Sequence, residues 1–149
     1  MPISTRLATF DDLDLIAPLL DGYRQFYGQA SDMDLARNFL GQRLSKQESI
    51  IFLGLDDTGH PLGFTQLFPS FSSVQARRIY ILNDLFVAPS GRGRGVGALL
   101  LNAAAEFGRS QNAARLALST EVSNKTAQRL YERKGWKRDE IYYYYNLTL

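Results

Sequence analysis

The sequence predicts an α/β fold in which helices lie over the faces of one mixed sheet. Three observations predict it: segments that alternate apolar with polar residues, apolar residues at helical spacing between those segments, and a glycine-rich loop that joins a strand to a helix. The predicted order of elements is β-α-α-β-β-β-α-β-α-β-β. Because no repeat, low-complexity segment or long linker interrupts the 149 residues, we expect one domain spanning 1–149.

The first part of the chain predicts one strand and two helices. Ile3 to Ala8 alternates like a strand, and Thr9 with Asp12 then has the spacing of a helix capping box. The helix that follows has apolar residues at helical spacing, namely Leu13, Ile16, Leu20 and Tyr23. A second capping box, Ser31 with Asp34, predicts the start of the next helix.

The middle of the chain predicts three strands and a helix. Ile50 to Leu55 and Leu62 to Phe68 flank a four-residue turn and predict a hairpin, and Arg78 to Val87 predicts a longer strand. A glycine-rich loop, Pro89 to Gly97, follows this strand. The helix after it has a wide apolar stripe made of Val96, Leu99, Leu100, Ala103, Ala104 and Phe107.

The last part of the chain predicts three short strands and a helix. Arg115 to Ser119 has the pattern of a strand, and Asn124 to Arg133 that of a helix ended by Gly135. The segment from Trp136 to Leu147 predicts a final pair of strands.

Composition excludes several classes of function. With no cysteine and a single histidine, His60, we expect no metal site, no disulfide and no thiol nucleophile. A net charge of +2 does not predict binding to nucleic acid. No apolar run approaches the roughly 20 residues of a membrane span, so we expect no membrane association and a soluble, cytoplasmic protein.

The glycine-rich loop predicts an anion site. The first N–H groups of a helix have no partner within the helix, and glycines allow a phosphate to approach the backbone closely. Arg92 and Arg94 would add charge-assisted hydrogen bonds to a pyrophosphate or ribose phosphate. The spacing of the glycines fits neither the P-loop nor the dinucleotide fingerprint. A tight turn with solvated arginines and an RNA contact remain the alternatives.

Two motifs in this order resemble those of the GNAT superfamily of N-acetyltransferases. Leu85 to Gly97 resembles its acyl-CoA signature, a strand followed by Arg/Gln-x-x-Gly-x-Gly/Ala, with Arg92, Gly95 and Gly97 at the fixed positions. Residues 124–136 resemble its second motif, in which the matching residues are Asn124, Ala127, Leu130, Tyr131, Glu132, Gly135 and Trp136. With the predicted order of elements, the resemblance covers nearly the whole chain.

The resemblance implies a GNAT fold and acetyl-CoA as co-substrate. That fold has a central, mostly antiparallel sheet with helices on both faces and one splayed parallel pair, here Asp84 to Val87 beside Arg115 to Ser119. The pantetheine arm would bond to the exposed backbone between these strands, and an amide near Val87 would face the thioester oxygen. The implied cofactor-binding residues are Leu85, Phe86, Val87, Arg92, Gly93, Arg94, Gly95, Val96, Gly97 and Asn124.

Two residues are the candidates for proton transfer. Tyr131 matches the family tyrosine whose hydroxyl faces the sulfur of CoA, and its alternative is a tyrosine packed on the sheet. Asp84 is the only carboxylate of the central strand and would deprotonate or attract the amine; its alternative is a structural aspartate bonded to backbone amides beside a strand bulge. Asn124 has an alternative role as a helix N-cap.

The acceptor site implied by the resemblance lies around the first two helices. Aromatic residues with a nearby carboxylate suit a cationic amine, although the same aromatics could simply form the core. The candidate substrate-binding residues are Tyr23, Phe26, Tyr27, Asp32 and Asn83. Residues 81–87 also resemble the corresponding strand of diamine acetyltransferases, in which Glu often occupies position 83.

These observations predict an enzyme that transfers an acetyl group from acetyl-CoA to a primary amine of a small molecule, by direct attack in a ternary complex. Acetylation of a protein lysine or N-terminal amine is one alternative, and a non-catalytic acyl-CoA sensor is another. By resemblance to the family, a homodimer is also expected.

Overall fold

The computed structural model describes residues 2–149, and its elements follow the predicted order as far as the last helix. The strands are β1 (Ser4–Leu7), β2 (Ile50–Leu55), β3 (Pro61–Ser72), β4 (Arg77–Val87) and β5 (Leu116–Ala117). The helices are α1 (Leu13–Phe26), α2 (Met33–Ser45), α3 (Val96–Ser110) and α4 (Lys125–Arg133). The chain divides into two compact units, one ending at Ser119 and the other spanning Thr120–Leu149.

The first unit is built on a five-stranded sheet in the order β1-β2-β3-β4-β5. Neighbouring strands are antiparallel from β1 to β4, and β5 is parallel to β4. Short turns suffice for the antiparallel neighbours, whereas the parallel pair needs a crossover, which α3 provides. The mixed, mostly antiparallel sheet predicted from the sequence is confirmed.

Helices cover both faces of this sheet. On β2, Ile51 and Leu53 are fully buried in the same cluster as the apolar residues of α1 and α2. Phe52, which lies between them, instead contacts Phe107 of α3, with 5.9 Å between ring centroids. Because alternate residues of a strand point to opposite faces, α1 and α2 lie on one face and α3 on the other.

Glycine allows α3 to pack closely on the sheet. A Cβ on Gly63 of β3 would lie 2.6 Å from the carbonyl oxygen of Phe86 and 3.3 Å from Val96 of α3. A Cβ on Gly54 of β2 would lie 2.9 Å from the same Val96 side chain. These two glycines therefore allow the first turn of α3 to pack closely on β2 and β3.

The two predicted capping boxes have different outcomes. The carboxylate of Asp12 accepts a hydrogen bond of 2.8 Å from the backbone N–H of Thr9, as predicted. Ser31 does not cap α2; Asp32 does, and its side chain accepts from the N–H of Leu35. The reason is tertiary, because the Ser31 hydroxyl donates to the carboxylate of Asp21 at 2.7 Å.

The predicted strand pair at the end of the chain is wrong: between Trp136 and Leu147 the structure has no strand. Within its own unit this segment has no other strand with which to form a ladder, and an isolated hairpin is only marginally stable. Asp139 instead accepts hydrogen bonds from the N–H groups of Ile141 and Tyr142, which replaces strand pairing with a local turn. None of the helices in residues 2–149 is long and apolar enough to cross a membrane.

Candidate active site

A β-bulge brings Asp84 to the centre of the candidate site. On β3, Gln66 pairs with Asp84 and the next residue, Leu67, pairs with Leu82, which leaves Asn83 as the extra residue of β4. Leu82 and Asp84 thus lie opposite consecutive residues of β3 and point to opposite faces of the sheet. The bulge directs Asp84 to the face that α1 covers.

The Asp84 carboxylate is buried among polar side chains. It is 3% exposed and accepts hydrogen bonds from the side-chain amides of Gln66 and Asn83, the latter at 2.9 Å. The hydroxyl of Ser49 donates to the amide oxygen of Gln66 at 2.6 Å, which turns the amide nitrogen of Gln66 toward Asp84. The Tyr23 hydroxyl donates to the carbonyl of Asn83 at 3.1 Å. The carboxylate is therefore held by oriented donors.

Burial raises the pKa of the Asp84 carboxyl above its ordinary value. Loss of solvation disfavours the ionised form, and this effect outweighs the hydrogen bonds from Gln66, Asn83 and Tyr23, which favour it. A carboxyl group with a raised pKa in a cavity is a candidate general base, because it binds a proton more tightly than an exposed aspartate does.

Asp84 lines a cavity of about 340 Å³ between α1, α2 and the sheet. This volume is at the lower end of the range for small-molecule sites. The residues that line the cavity are Leu20, Tyr23, Arg24, Leu35, Ala36, Phe39, Phe68, Asn83 and Asp84.

The structure gathers part of the predicted acceptor site in this cavity. Tyr23 and Asn83 line it together with Asp84. Phe26 and Tyr27 do not line it; both are exposed, and their rings contact each other at 5.2 Å between centroids. Asp32 also lies outside the lining, as the cap of α2.

Three polar residues of this region were not predicted from the sequence. Gln66 and Ser49 are buried and have the pattern of ordinary sheet residues. Arg24 follows Tyr23 on α1, and its charge within an amphipathic helix suggests a solvated side chain. The hairpin pattern gave a usable signal only for Gln66, since it places this residue on the strand beside Asp84.

The glycine-rich loop has the geometry expected of an anion site. Gly93 and Gly95 have φ values of 75° and 79°, and a Cβ on either would meet no atom within 4 Å. Gly95 immediately precedes α3, whose first N–H groups have no partner within the helix. The loop therefore presents open backbone and unpaired donors on its outer side.

The two arginines of the loop are placed differently. Nε of Arg92 donates to the carbonyl of Val87 at 3.1 Å, and its guanidinium carbon lies 5.9 Å from the ring centroid of Phe86. Nη2 of Arg94 is buried and, among residues 2–149, has no hydrogen-bond partner. A buried cationic donor without an acceptor is costly unless an anion binds there. These residues fit the diphosphate of CoA.

Next to this loop, the parallel strands separate. Pairing of β4 with β5 ends at Ile81 and Ala117, although β4 continues to Val87. Within the described part of the chain, residues 82–87 thus have no strand partner on that side, and their backbone groups can accept an extended ligand. The splayed parallel pair implied by the resemblance is present.

The second unit contains the other two predicted site residues. Tyr131 lies on α4, and its ring centroid is 6.2 Å from that of Trp136. Asn124 caps α4, and its side chain accepts from the N–H of Ala127 at 3.2 Å. The N-cap alternative for Asn124 is therefore confirmed, while its contact with CoA stays a prediction.

Fold, bulge, splayed strands and glycine loop together define an acetyltransferase, and comparison with known families agrees. The model of the acetyltransferase (GNAT) family matches residues 14–136, and the chain belongs to this family. The resemblance drawn from the two motifs is confirmed, and the protein is an N-acetyltransferase.

Individual relatives agree over the whole length of the chain. An uncharacterised N-acetyltransferase of Bacillus subtilis (strain 168), YhfO, is 45% identical over 99% of this chain and 98% of its own. An aminoalkylphosphonate N-acetyltransferase of Salmonella typhimurium is 30% identical over 95% of this chain and 90% of its own. The crystal structure of a probable acetyltransferase, 43% identical, superposes with a TM-score of 0.92 over 100% of this chain and 98% of that one.

Proposed function

We propose that the protein transfers an acetyl group from acetyl-CoA to the primary amine of a small molecule, by direct attack within a ternary complex. The observation that carries this proposal is the buried Asp84 carboxylate at the wall of a cavity of about 340 Å³. The cavity lies beside the strand whose splayed end and following loop fit an acyl-CoA.

Residues of the loop and of β4 would hold the co-substrate. Arg94, the N–H groups at the start of α3 and the glycines before it would bind the diphosphate, and backbone groups from Leu85 to Val87 would bind the pantetheine arm. When bound there, acetyl-CoA supplies an acetyl group activated as a thioester. Arg92, which donates a hydrogen bond to the carbonyl of Val87 at the end of β4, would add positive charge at the start of the loop.

Asp84 would prepare the amine. An alkylammonium with a pKa near ~10.4 is protonated at neutral pH and cannot attack a carbonyl carbon. The Asp84 carboxylate attracts this cation into the cavity and accepts its proton, directly or through one water. Its raised pKa makes the protonated state easier to reach, and Gln66 and Asn83 hold the carboxylate in one orientation.

Tyr131 is the proposed acid for the departing thiolate. This assignment rests on its place in the second motif, Leu130-Tyr131-Glu132, which resembles that of the family. A phenol donates a hydrogen bond without ionising, so the residue could serve throughout the neutral pH range.

The size of the cavity favours a small acceptor over a protein lysine. A cavity of this volume holds a compact molecule, and its walls are mainly apolar side chains from α1, α2 and β3. The Salmonella relative is named for small acceptors, aminoalkylphosphonates, which supports the same class of acceptor here.

The experiment is to follow release of CoA from acetyl-CoA with a panel of small primary amines, and in parallel with lysine peptides. Amine-dependent release with small amines, much weaker with peptides, supports the proposal. Release with peptides alone would favour a protein acceptor. Tight binding of acetyl-CoA without turnover on any amine would favour the sensor.

We also propose that the protein forms a homodimer through its C-terminal segment, residues 136–149. Apolar side chains are strongly exposed there; Ile141, Tyr142, Tyr143, Tyr144, Tyr145 and Leu147 are 72–91% exposed. Exposed apolar side chains at this density favour an interface, and a second copy presents the same segment. Light scattering on the full chain should give twice the mass of 16.8 kDa, and a monomer would exclude the dimer.

A further inference from the structure

The acceptor cavity carries two opposite charges. Among its lining residues only Arg24 and Asp84 are charged, and the others are the tyrosine, the asparagine and five apolar side chains. The proposed function already gives Asp84 a role, which is to bind and deprotonate the acceptor amine. Arg24 has no role in that chemistry, because a cationic amine is repelled by a guanidinium.

The Arg24 guanidinium is also incompletely paired. Its Nη1 atom is buried and has no hydrogen-bond partner within residues 2–149. A buried charged donor without an acceptor is destabilising, and such a group in a ligand cavity indicates that a ligand supplies the acceptor.

The Asp21 carboxylate does not serve as the acceptor for Nη1 of Arg24. Asp21, one turn earlier on α1, interacts with Arg24 by charge, but its oxygens already accept from Gln25, Ser31 and the N–H of Asp32 at 2.7–3.0 Å. These hydrogen bonds hold the pKa of the Asp21 carboxyl below its ordinary value, and the one from Ser31 has the largest effect. Asp21 is thus a structural anchor for the start of α2, and Arg24 is left to the cavity.

We propose that the acceptor is an amine that also carries an anionic group, a carboxylate or a phosphonate, and that Arg24 binds this group. The inference rests on the proposed function and specifies its substrate class. The ammonium end lies at Asp84, the anionic end pairs with the guanidinium of Arg24, and the apolar walls of the cavity contact the carbon chain between them. A guanidinium suits both anions, because its planar N–H donors bind two oxygens at once.

The test compares four primary amines of similar length that differ at the far end. These are 4-aminobutyrate, 3-aminopropylphosphonate, n-butylamine and putrescine, each with saturating acetyl-CoA. We expect kcat/KM for at least one of the two anionic amines to exceed that of n-butylamine by about tenfold or more, since a charged hydrogen bond is lost with the methyl end. Putrescine should be the poorest, and the ratio of carboxylate to phosphonate identifies the preferred anion.

Variants assign the preference to Arg24. R24Q should abolish the advantage of the anionic amines over n-butylamine, and R24K should restore part of it. The matched control is R37Q, which removes an exposed arginine of α2 that pairs with Asp14 outside the cavity and should keep the full preference. Circular dichroism checks that each variant is folded.

The outcomes separate the inference from the proposed function. If n-butylamine and putrescine are acetylated as fast as both anionic amines, or if R24Q keeps the wild-type preference, the inference is overturned and the acetyltransferase assignment stands. If none of these amines nor any other small amine is acetylated, the proposed function fails and the inference fails with it.

Discussion

The side-chain amide of Gln66 on β3 donates a hydrogen bond to the carboxylate of Asp84 on β4, and both residues are buried. They are paired across the strands at the point where the register shifts. The bulge and the hydrogen bond together place a carboxylate with a raised pKa at the wall of the proposed acceptor cavity. Several consequences of this arrangement can be measured.

Substituting Asp84 should separate activity from stability. D84N removes the base, so kcat should fall by about a hundredfold or more. The amide oxygen of the new side chain can still accept from Gln66, and Asn83, which is exposed, can turn away. A structural aspartate predicts the opposite pattern, a lower melting temperature with activity lost only through unfolding.

The pH dependence of stability follows from the sign of the pKa shift. Because the pKa of Asp84 is higher in the folded than in the unfolded protein, the folded state binds more protons between the ordinary value of about 3.9 and the raised one. Its contribution to stability therefore decreases as pH rises through this window and remains unfavourable above it. At pH 8, D84N should melt no lower than the wild type; a clearly lower melting temperature would contradict the buried-charge argument.

Gln66 should set the acidic limb of the pH–rate profile. Q66E is nearly isosteric and keeps an acceptor for Ser49, but it places a second carboxyl beside Asp84, and two neighbouring carboxylates resist joint ionisation. The acidic limb of kcat/KM should move to higher pH by about one unit or more. S49A, which leaves the donor to Asp84 in place, should move it much less. An unmoved limb in Q66E would mean that Asp84 does not govern the rate.

Arg94 should contribute to binding of the co-substrate. R94Q removes the guanidinium beside the start of α3, whose Nη2 atom has no hydrogen-bond partner in residues 2–149, and KM for acetyl-CoA should rise about tenfold while kcat changes little. The control is R109Q, since Arg109 is exposed in the last turn of the same helix, about 20 Å away. Equal KM values in the two variants would remove Arg94 from the phosphate site.

The elements could be predicted because their signals are local. The capping bond between Thr9 and Asp12, the hairpin and the glycine loop each depend on residues a few positions apart. The proposed phosphate site has a local signal too, because its donors come from one loop and the helix after it.

The extra residue of the bulge could not be predicted, because register depends on the partner strand. Nothing in the sequence of β4 alone marks Asn83 as the extra residue. Gln66 looks like a core position until it is placed opposite Asp84. Arg24 looks solvated until α2 packs beside α1 and the two helices line one cavity. The prediction that Ser31 caps α2 was wrong for a related reason. The Ser31 hydroxyl donates a hydrogen bond to Asp21, which lies ten residues earlier in the sequence.

Tyr131 is assigned to the site by its motif, and kinetics can test the role of its hydroxyl. Y131F removes one hydroxyl and keeps the ring beside Trp136, and its melting temperature shows whether the variant is folded. If the hydroxyl assists departure of the thiolate, kcat should fall about tenfold or more while KM for acetyl-CoA stays nearly constant, because the interaction is made only as the thioester breaks. Y143F, which alters a strongly exposed tyrosine of the C-terminal segment, is the matched control and should leave both constants unchanged.

An acyl donor with a poorer leaving group gives a sharper test of Tyr131. If the thiol of the donor has a higher pKa than that of CoA, Y131F should lower the rate with this donor more than the rate with acetyl-CoA. Equal effects on both donors would assign Tyr131 to packing and leave the acid to another group.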